Sequence, residues 1–276
     1  MKSEKYWEKA LEKTRVSIIN NSLYPLKTKV ITRELYDKND FIIRKLDTSK
    51  FNKKINYGPR QNPFNPWEKI LEIDQIGDKH QLILNKYPVQ KGHILLITNT
   101  WMPQDGWLDV SDWIAIQKVN NDTSGLWFFN SSPIAGASQP HRHFQLLRRP
   151  YGEVPCPREK WFLDLKLCSE SKNKLKKSII VSDFNFLEDP SNIYSLYLKL
   201  SKDLGLGDPI NDKKPRYPHN ILITNRWITI IKRMHDHIHG ISINGLGFAG
   251  YILVTEKSNI NYLKKFGPEK LLESFV

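Results

Sequence analysis

Cysteine is scarce in this chain of 276 residues. There are two, Cys156 and Cys168, with no Cys-x-x-Cys spacing. That excludes a disulfide framework and a cysteine-based zinc site, and it fits reduced thiols. No apolar run reaches the roughly 18 residues that span a bilayer. The opening segment MKSEKYWEKALEK carries charge where a secretory signal has an apolar stretch. A cytoplasmic protein with no membrane partner is therefore expected. There is no internal repeat and no long low-complexity tract. Acidic residues are also few, 29 Asp+Glu against 42 Lys+Arg, for a net charge of +13. Such an excess attracts polyanions. The lysines are scattered instead of gathered into a basic arm, so no specific nucleic acid is expected. The charge reads either as steering for a polyphosphate or as drift in a chain rich in Ile and Asn.

What is present is a core and one concentrated motif. The length and the 39% apolar content fit one large domain, or one domain with a C-terminal extension. The motif is Gly136-Ala137-Ser138-Gln139-Pro140-His141-Arg142-His143-Phe144-Gln145. Residues i, i+2 and i+4 of a strand share a face. His141, His143 and Gln145 therefore point one way, Arg142 and Phe144 the other. Residues 133–139 cannot form a comfortable helix and read as a loop of backbone N–H donors with a Ser hydroxyl. Donors beside two imidazoles and an amide, none of them anionic, indicate an anionic ligand, with phosphate the commonest. The bland alternative for a His-x-His pair is a surface pair or a metal site.

Elsewhere the periodicity predicts a helix over 4–20 with Trp7, Ala10, Leu11, Thr14 and Ile18 on one face. Strands are expected at Lys29–Leu35, Phe41–Leu46, Ile70–Ile76, His80–Asn85, Gly92–Ile97, Leu126–Asn130, His219–Thr224 and Trp227–Lys232. Helices are expected over Asp109–Val119, with Ile114 available to the core, and over Asn192–Leu204. Trp161–Leu167 reads as helix or strand. His235, His237 and His239 alternate, as chelating residues on a strand can, but no carboxylate or thiolate completes a set. A polar loop is the preferred reading, and no metal site is assigned.

Several separate motifs carry a family resemblance that spans most of residues 40–255. They are Asn130, the Gly-Ala-Ser-Gln run before His-x-His-x-Gln, the stretch HQLILNKYPVQKGHILLITN, and a C-terminal Asn-x-Leu-x-Thr strand (residues 220–224) followed later by Asn244-Gly245-Leu246-Gly247-Phe248-Ala249-Gly250. Together they resemble the diadenosine tetraphosphate phosphorylase (ATP adenylyltransferase) family of the histidine-triad superfamily, the branch with Gln in place of a third His. The resemblance implies an α+β fold. A histidine-triad-like antiparallel sheet is flanked by helices, with a C-terminal extension that adds to the fold. The catalytic region is expected over 1–182 and the ATP adenylyltransferase-type region over 183–276.

The resemblance also implies the chemistry. The second His of the motif, His143, attacks the α-phosphorus of a dinucleoside polyphosphate, expels ATP and carries AMP until phosphate displaces it as ADP. The implied substrate contacts are Lys54 (or its neighbour Lys53), Asn85, Lys86, Asn130, Gly136, Ala137, Ser138, Gln139, His141, Gln145, Asn220 and Lys232. His93 reads as structural, holding its loop, with catalysis as the lesser alternative. Gln145 cannot exchange a proton near neutral pH but can donate to a phosphate oxygen, which favours phosphate over water as acceptor. The expected partners are the dinucleoside polyphosphate, ATP, ADP and phosphate. No covalent cofactor is expected, and magnesium is expected at most with the nucleotide. The sugar-1-phosphate uridylyltransferases have His-Pro-His-Gly-Gln, which Arg142 and Phe144 do not match. GDP-hexose phosphorylases remain an alternative, as does a non-catalytic nucleotide or nucleic-acid binder.

Overall fold

The computed structural model describes residues 4–36, 38–47, 64, 66–148, 155–167 and 173–276. Lys54, its neighbour Lys53, and Cys168 lie outside the described residues. In chain order the elements are α1 (Lys5–Ile19), β1 (Thr28–Val30), α2 (Thr32–Leu35), β2 (Ile42–Leu46), β3 (Glu72–Ile76), β4 (His80–Leu84), β5 (Ile94–Thr98), α3 (Val110–Asp122), β6 (Leu126–Asn130), β7 (His143–Leu147), α4 (Glu159–Leu167), α5 (Lys174–Lys177), β8 (Ile179–Asp183), α6 (Pro190–Asp203), β9 (His219–Ile223), β10 (Trp227–Lys232), β11 (His237–Ile238), β12 (Ile241–Ser242), α7 (Gly245–Phe248), β13 (Tyr251–Val254) and α8 (Ile260–Glu273).

Eight strands form one sheet in the order β3-β4-β5-β7-β6-β9-β10-β8. Every neighbouring pair in it is antiparallel. A smaller sheet, β1-β2-β13, has β13 running parallel to β2. The expected α+β architecture is present, and the His-x-His strand β7 lies beside β5 with His143 opposite Ile97. The β6–β9 pair joins the N-terminal strands to the C-terminal ones, with Asn130 opposite Asn220. Residues 182 and 183 both fall inside β8, which pairs with β10.

The alternation read from the sequence sorts the two faces. Leu82, Leu96, Phe144, Leu146, Trp127, Phe129, Ile221 and Ile230 enter a core shared with Trp113, Ile116, Tyr197 and Leu200 of α3 and α6. On the other face, Phe128, Leu147, Leu222 and Ile231 pack with Phe162, Phe248, Ile252 and Leu271 of the C-terminal elements. Toward the β4–β5 side of that second face, Ile83, Leu95 and Ile97 meet Phe64 and Trp67. The histidines lie between these last two groups.

Three expectations are corrected. The stretch Lys29–Leu35 is a strand only to Val30 and then turns into α2. Thr32 Oγ1 accepts the N–H of Ile43 at 2.8 Å, so a hydroxyl replaces the next ladder carbonyl and the chain bends away. In α1 the buried residues are Ala10, Thr14 and Ser17, while Leu11 and Ile18 are exposed. Trp7 fixes that rotation, because its N–H donates to Thr123 Oγ1 and its ring lies against Gly92. Ile114 of α3 is also exposed, on the side away from Trp113 and Ile116.

Candidate active site

Strand β7 is held in place from behind. Arg142, between the two histidines, projects to the opposite face and is fully buried. Its Nη1 donates to Asp112 Oδ2 at 2.9 Å and its Nη2 to Trp107 O at 2.7 Å. Asp112 also accepts from the N–H of Asp109 in the capping box of α3 and lies 3.0 Å from His80 Nε2. Removing one partner of such a buried pair strands the other charge, at a cost of about 3–5 kcal/mol. The alternation of the motif thus has a structural half on one face and a chemical half on the other.

On the chemical face the tautomers follow from carbonyl partners, which only accept. His141 Nε2 lies 2.8 Å from Thr98 O and 2.9 Å from Thr98 Oγ1, so that nitrogen carries its proton. His143 Nδ1 lies 2.8 Å from the carbonyl oxygen of His141, so Nδ1 donates and Nε2 keeps its lone pair. Burial pushes His143 down to about 4, with the His141 carbonyl acting the other way. Burial also lowers His141, against the raising effect of the Thr98 carbonyl. Both imidazoles are neutral at neutral pH. The ring of Phe64 meets both edge-on, with centroids 5.4 Å from His141 and 5.5 Å from His143.

A residue that sequence reasoning missed fixes the His143 main chain. Gln104 Oε1 accepts the His143 N–H at 2.8 Å. Its Nε2 donates to Asn130 O at 2.7 Å and to His143 O at 3.2 Å. Gln104 sits in Met102-Pro103-Gln104-Asp105-Gly106, a segment without periodicity. The Pro103–His141 bridge and the bonds from Gln104 N–H to Pro140 O and from Arg142 N–H to Met102 O run it alongside the start of the histidine strand.

Asn130 shares the face of His143, since Phe128 pairs with Gln145 and Asn130 lies two residues further along β6. Its Oδ1 accepts from Asn220 Nδ2 at 2.8 Å and from Gly245 N at 2.9 Å, while its Nδ2 is buried without a partner among the described residues. The loop offers fewer donors than its sequence promised. The Gly136 N–H closes on Pro133 O and that of Ala137 on Ser132 O. Ser138 and Gln139 have no partner for their N–H among the described residues, and Gln139 Oε1 is buried and unbonded. Gly136 takes φ +87, and an added Cβ would stand 2.5 Å from Asn244 Cβ, so glycine is required where this loop crosses Asn244.

The remaining residues are placed as follows. Gln145 lies on the His143 face between Leu95 and Phe128. Asn85 accepts the Tyr87 N–H at 2.9 Å and donates to His93 Nδ1 at 3.3 Å. His93 holds that loop, as expected; burial pushes it down to about 3, partly countered by the side chain of Gln145. Lys86 pairs with Glu68 beside the ring of Tyr24. Asn220 is committed inside the protein, giving both amide hydrogens to Asn130 and Ala135 and receiving from Arg233. Lys232 is not brought to His143. It pairs with His219, so it faces the opposite side of the sheet and lies over the Tyr217 ring at 4.9 Å. Its neighbour Arg233 turns in toward Asn220 instead. Among the described residues no group of three or more His, Cys, Asp or Glu side chains is placed to hold a metal, and no helix is long and apolar enough to cross a membrane.

This arrangement has relatives. A family model described as the Ap4A (diadenosine tetraphosphate) phosphorylase N-terminal domain matches residues 1–159, and one described as the ATP adenylyltransferase C-terminal domain matches residues 173–276. Diadenosine 5',5'''-P1,P4-tetraphosphate phosphorylase 2 of Saccharomyces cerevisiae is 25% identical over 232 residues, 74% of this chain and 71% of its own. Crystal structures of yeast Ap4A phosphorylase Apa2 share the fold. The complex with AMP has a TM-score of 0.72 at 22% identity, over 99% of this chain and 96% of that one. The complex with Ap4A has a TM-score of 0.71 at 21% identity, over 100% and 97%. With one family model covering more than half of the chain and a second most of the remainder, the chain belongs to the Ap4A phosphorylase (ATP adenylyltransferase) family.

Proposed function

We propose that the protein cleaves diadenosine tetraphosphate with inorganic phosphate to ADP and ATP, through an AMP adduct on His143. The observation that carries this reading is the tautomer of His143. Nδ1–H is tied to the His141 carbonyl, which leaves Nε2 unprotonated and nucleophilic on the face it shares with Gln145 and Asn130. Its lowered pKa, about 4, keeps that nitrogen neutral at neutral pH.

In the first step Nε2 forms a bond to an α-phosphorus and the P–O bond to the departing ATP breaks. The imidazole gains positive charge, which the His141 carbonyl stabilises through Nδ1–H. In the second step a phosphate oxygen attacks the same phosphorus, the P–N bond breaks and ADP leaves. Asn130 Nδ2 and the N–H groups of Ser138 and Gln139 supply hydrogen bonds to the non-bridging oxygens, where charge gathers in transfer. Gln145 donates without exchanging a proton, so water receives no general acid–base help from it. A cavity of about 330 Å³ lined by Leu26, Thr28, Leu147, Asn244 and Leu246 gives nucleoside-sized space beside the strand that carries the histidines. Magnesium, where needed, accompanies the polyphosphate. The related proteins named for Ap4A phosphorolysis support the same reading.

The test is product analysis with and without phosphate, joined to intact-mass measurement. Phosphate should be required for ADP release. Without it the protein should carry an acid-labile AMP adduct that is absent in His143→Ala. Release of AMP plus ATP by water at a comparable rate would mark a hydrolase, and an adduct retained in His143→Ala would move the nucleophile elsewhere.

A further inference from the structure

Among the described residues three arginines are almost wholly shielded from solvent, and two of them have carboxylates: Arg142 has Asp112, and Arg158 has Glu269. Arg233 has none within ion-pair distance among the described residues, and the acid that acts on it is the exposed Asp236. Its guanidinium lies between the rings of Phe248 and Phe275, with its carbon 5.1 Å and 5.3 Å from their centroids. Nη2 donates to His235 O at 2.9 Å and Ile243 O at 2.8 Å, and Nη1 to Asn220 Oδ1 at 2.7 Å. An uncompensated buried cation is costly, so its missing counter-charge calls for a source.

The hydrogen bonds leading from Arg233 run in one direction. A guanidinium only donates, so the atom of Asn220 that faces it is Oδ1. The Ala135 carbonyl only accepts, so the atom facing it, at 2.7 Å, is Asn220 Nδ2. The Gly245 N–H only donates, so the atom of Asn130 that meets it is Oδ1, which also takes the second hydrogen of Asn220 Nδ2. Both amide orientations are thus fixed by groups that have no alternative role. What remains is Asn130 Nδ2, a buried donor without a partner among the described residues, on the same face as His143.

We propose that Arg233 is a positioning residue that extends its positive charge to the bound phosphate through the relay Arg233→Asn220→Asn130, with Asn130 Nδ2 as the donating end. Each amide in the series is polarised by the one before it, and in a dry interior such chains strengthen their last member. The phosphate is then the counter-ion that Arg233 lacks inside the protein. The inference rests on the nucleotide reading above and adds to it a cation that never touches the ligand.

Binding separates the relay from a merely structural role. The probes are AMP, which has the phosphate, adenosine, which lacks it, and inorganic tripolyphosphate, which lacks the nucleoside, each titrated calorimetrically. The variant Asn220→Asp keeps an acceptor for Arg233 but can donate neither to Asn130 nor to the Ala135 carbonyl, so the relay is cut. It should weaken AMP and tripolyphosphate at least tenfold and leave adenosine within twofold. Arg233→Met should show the same selectivity, and Arg233→Lys, which keeps the charge, should hold AMP within about threefold of wild type. Unchanged AMP affinity in Asn220→Asp, or equal losses for AMP and adenosine, would overturn the relay. A wild-type protein that binds tripolyphosphate but neither nucleoside probe would sink the nucleotide reading, and the relay would then be decided on tripolyphosphate. Binding of none of the three would refute both.

Discussion

Mild acid should destabilise this protein far above the range where carboxylates titrate. Burial holds His143 and His219 down to about 4 and His93 down to about 3. In the unfolded chain each returns to about 6.5. Every folded value lies below the unfolded one, so on acidification the unfolded chain takes up protons first. The stability is fully present above about pH 6.5 and is lost as pH falls toward the folded values near 4 and 3. At pH 5 the linkage relation gives about 2 kcal/mol per residue, or roughly 6 kcal/mol for the three together. That is comparable with the whole stability of an ordinary domain, about 5–15 kcal/mol. Urea unfolding at pH 7 and pH 5 should show a large fall in the midpoint. His219→Gln should remove about 2 kcal/mol of that difference. Molecules that remain folded at pH 5 should keep their activity, since His143 is still neutral there. An unfolding midpoint that does not change between pH 7 and pH 5 would refute the assignment of these imidazoles as buried and neutral.

Two further outcomes follow from the loop and the strand. Gln104→Leu deprives the His143 N–H and the Asn130 carbonyl of their partner, and should cost about 2–4 kcal/mol in urea unfolding. It should also lower kcat at least tenfold, as Nε2 drifts from its attack position; wild-type kcat in this variant would show that the amide does not position His143. Gly136→Ala forces a positive φ on an L-residue and drives a Cβ into Asn244, which should cost about 2–5 kcal/mol. A loss under about 1 kcal/mol would mean that the loop shifts freely off Asn244.

Much of the fold and of the site is legible in the sequence, and the reasons differ by residue. The faces of β7 were legible because alternation is a local property of an extended chain. His141 and His143 therefore fell on one side and Arg142 on the other. The hairpin of β3 and β4 was legible because Gly77 marks its turn, with φ +61. Lys232 was the natural cation to choose at the end of β10, yet its side depends on pairing with His219, and register between strands is not local. One residue further along, Arg233 had no periodic signal once the strand ended. Gln104 and Thr98 act by reaching across to β7, and nothing in their own neighbourhoods announces it. The loop donors were overcounted for a related reason. A short turn such as 133–136 consumes its own N–H groups, and that is invisible until the turn closes.

The ladder between β6 and β9 has a consequence for how the molecule comes into being. Asn220 reaches Asn130 across 90 residues of chain, and Gly245 reaches it across 115. During synthesis the histidine strand leaves the ribosome long before either partner exists. Until then β6 is an open edge of apolar residues, Leu126-Trp127-Phe128-Phe129, of the kind that recruits stray strands. The nascent N-terminal half is therefore exposed to aggregation through that edge. Closing so distant a contact makes it a late event in folding. Catalytic competence should accordingly appear last, when the C-terminal residues dock, and a chain halted before residue 245 should hold its nucleophile in place but lack the backbone donor that orients Asn130.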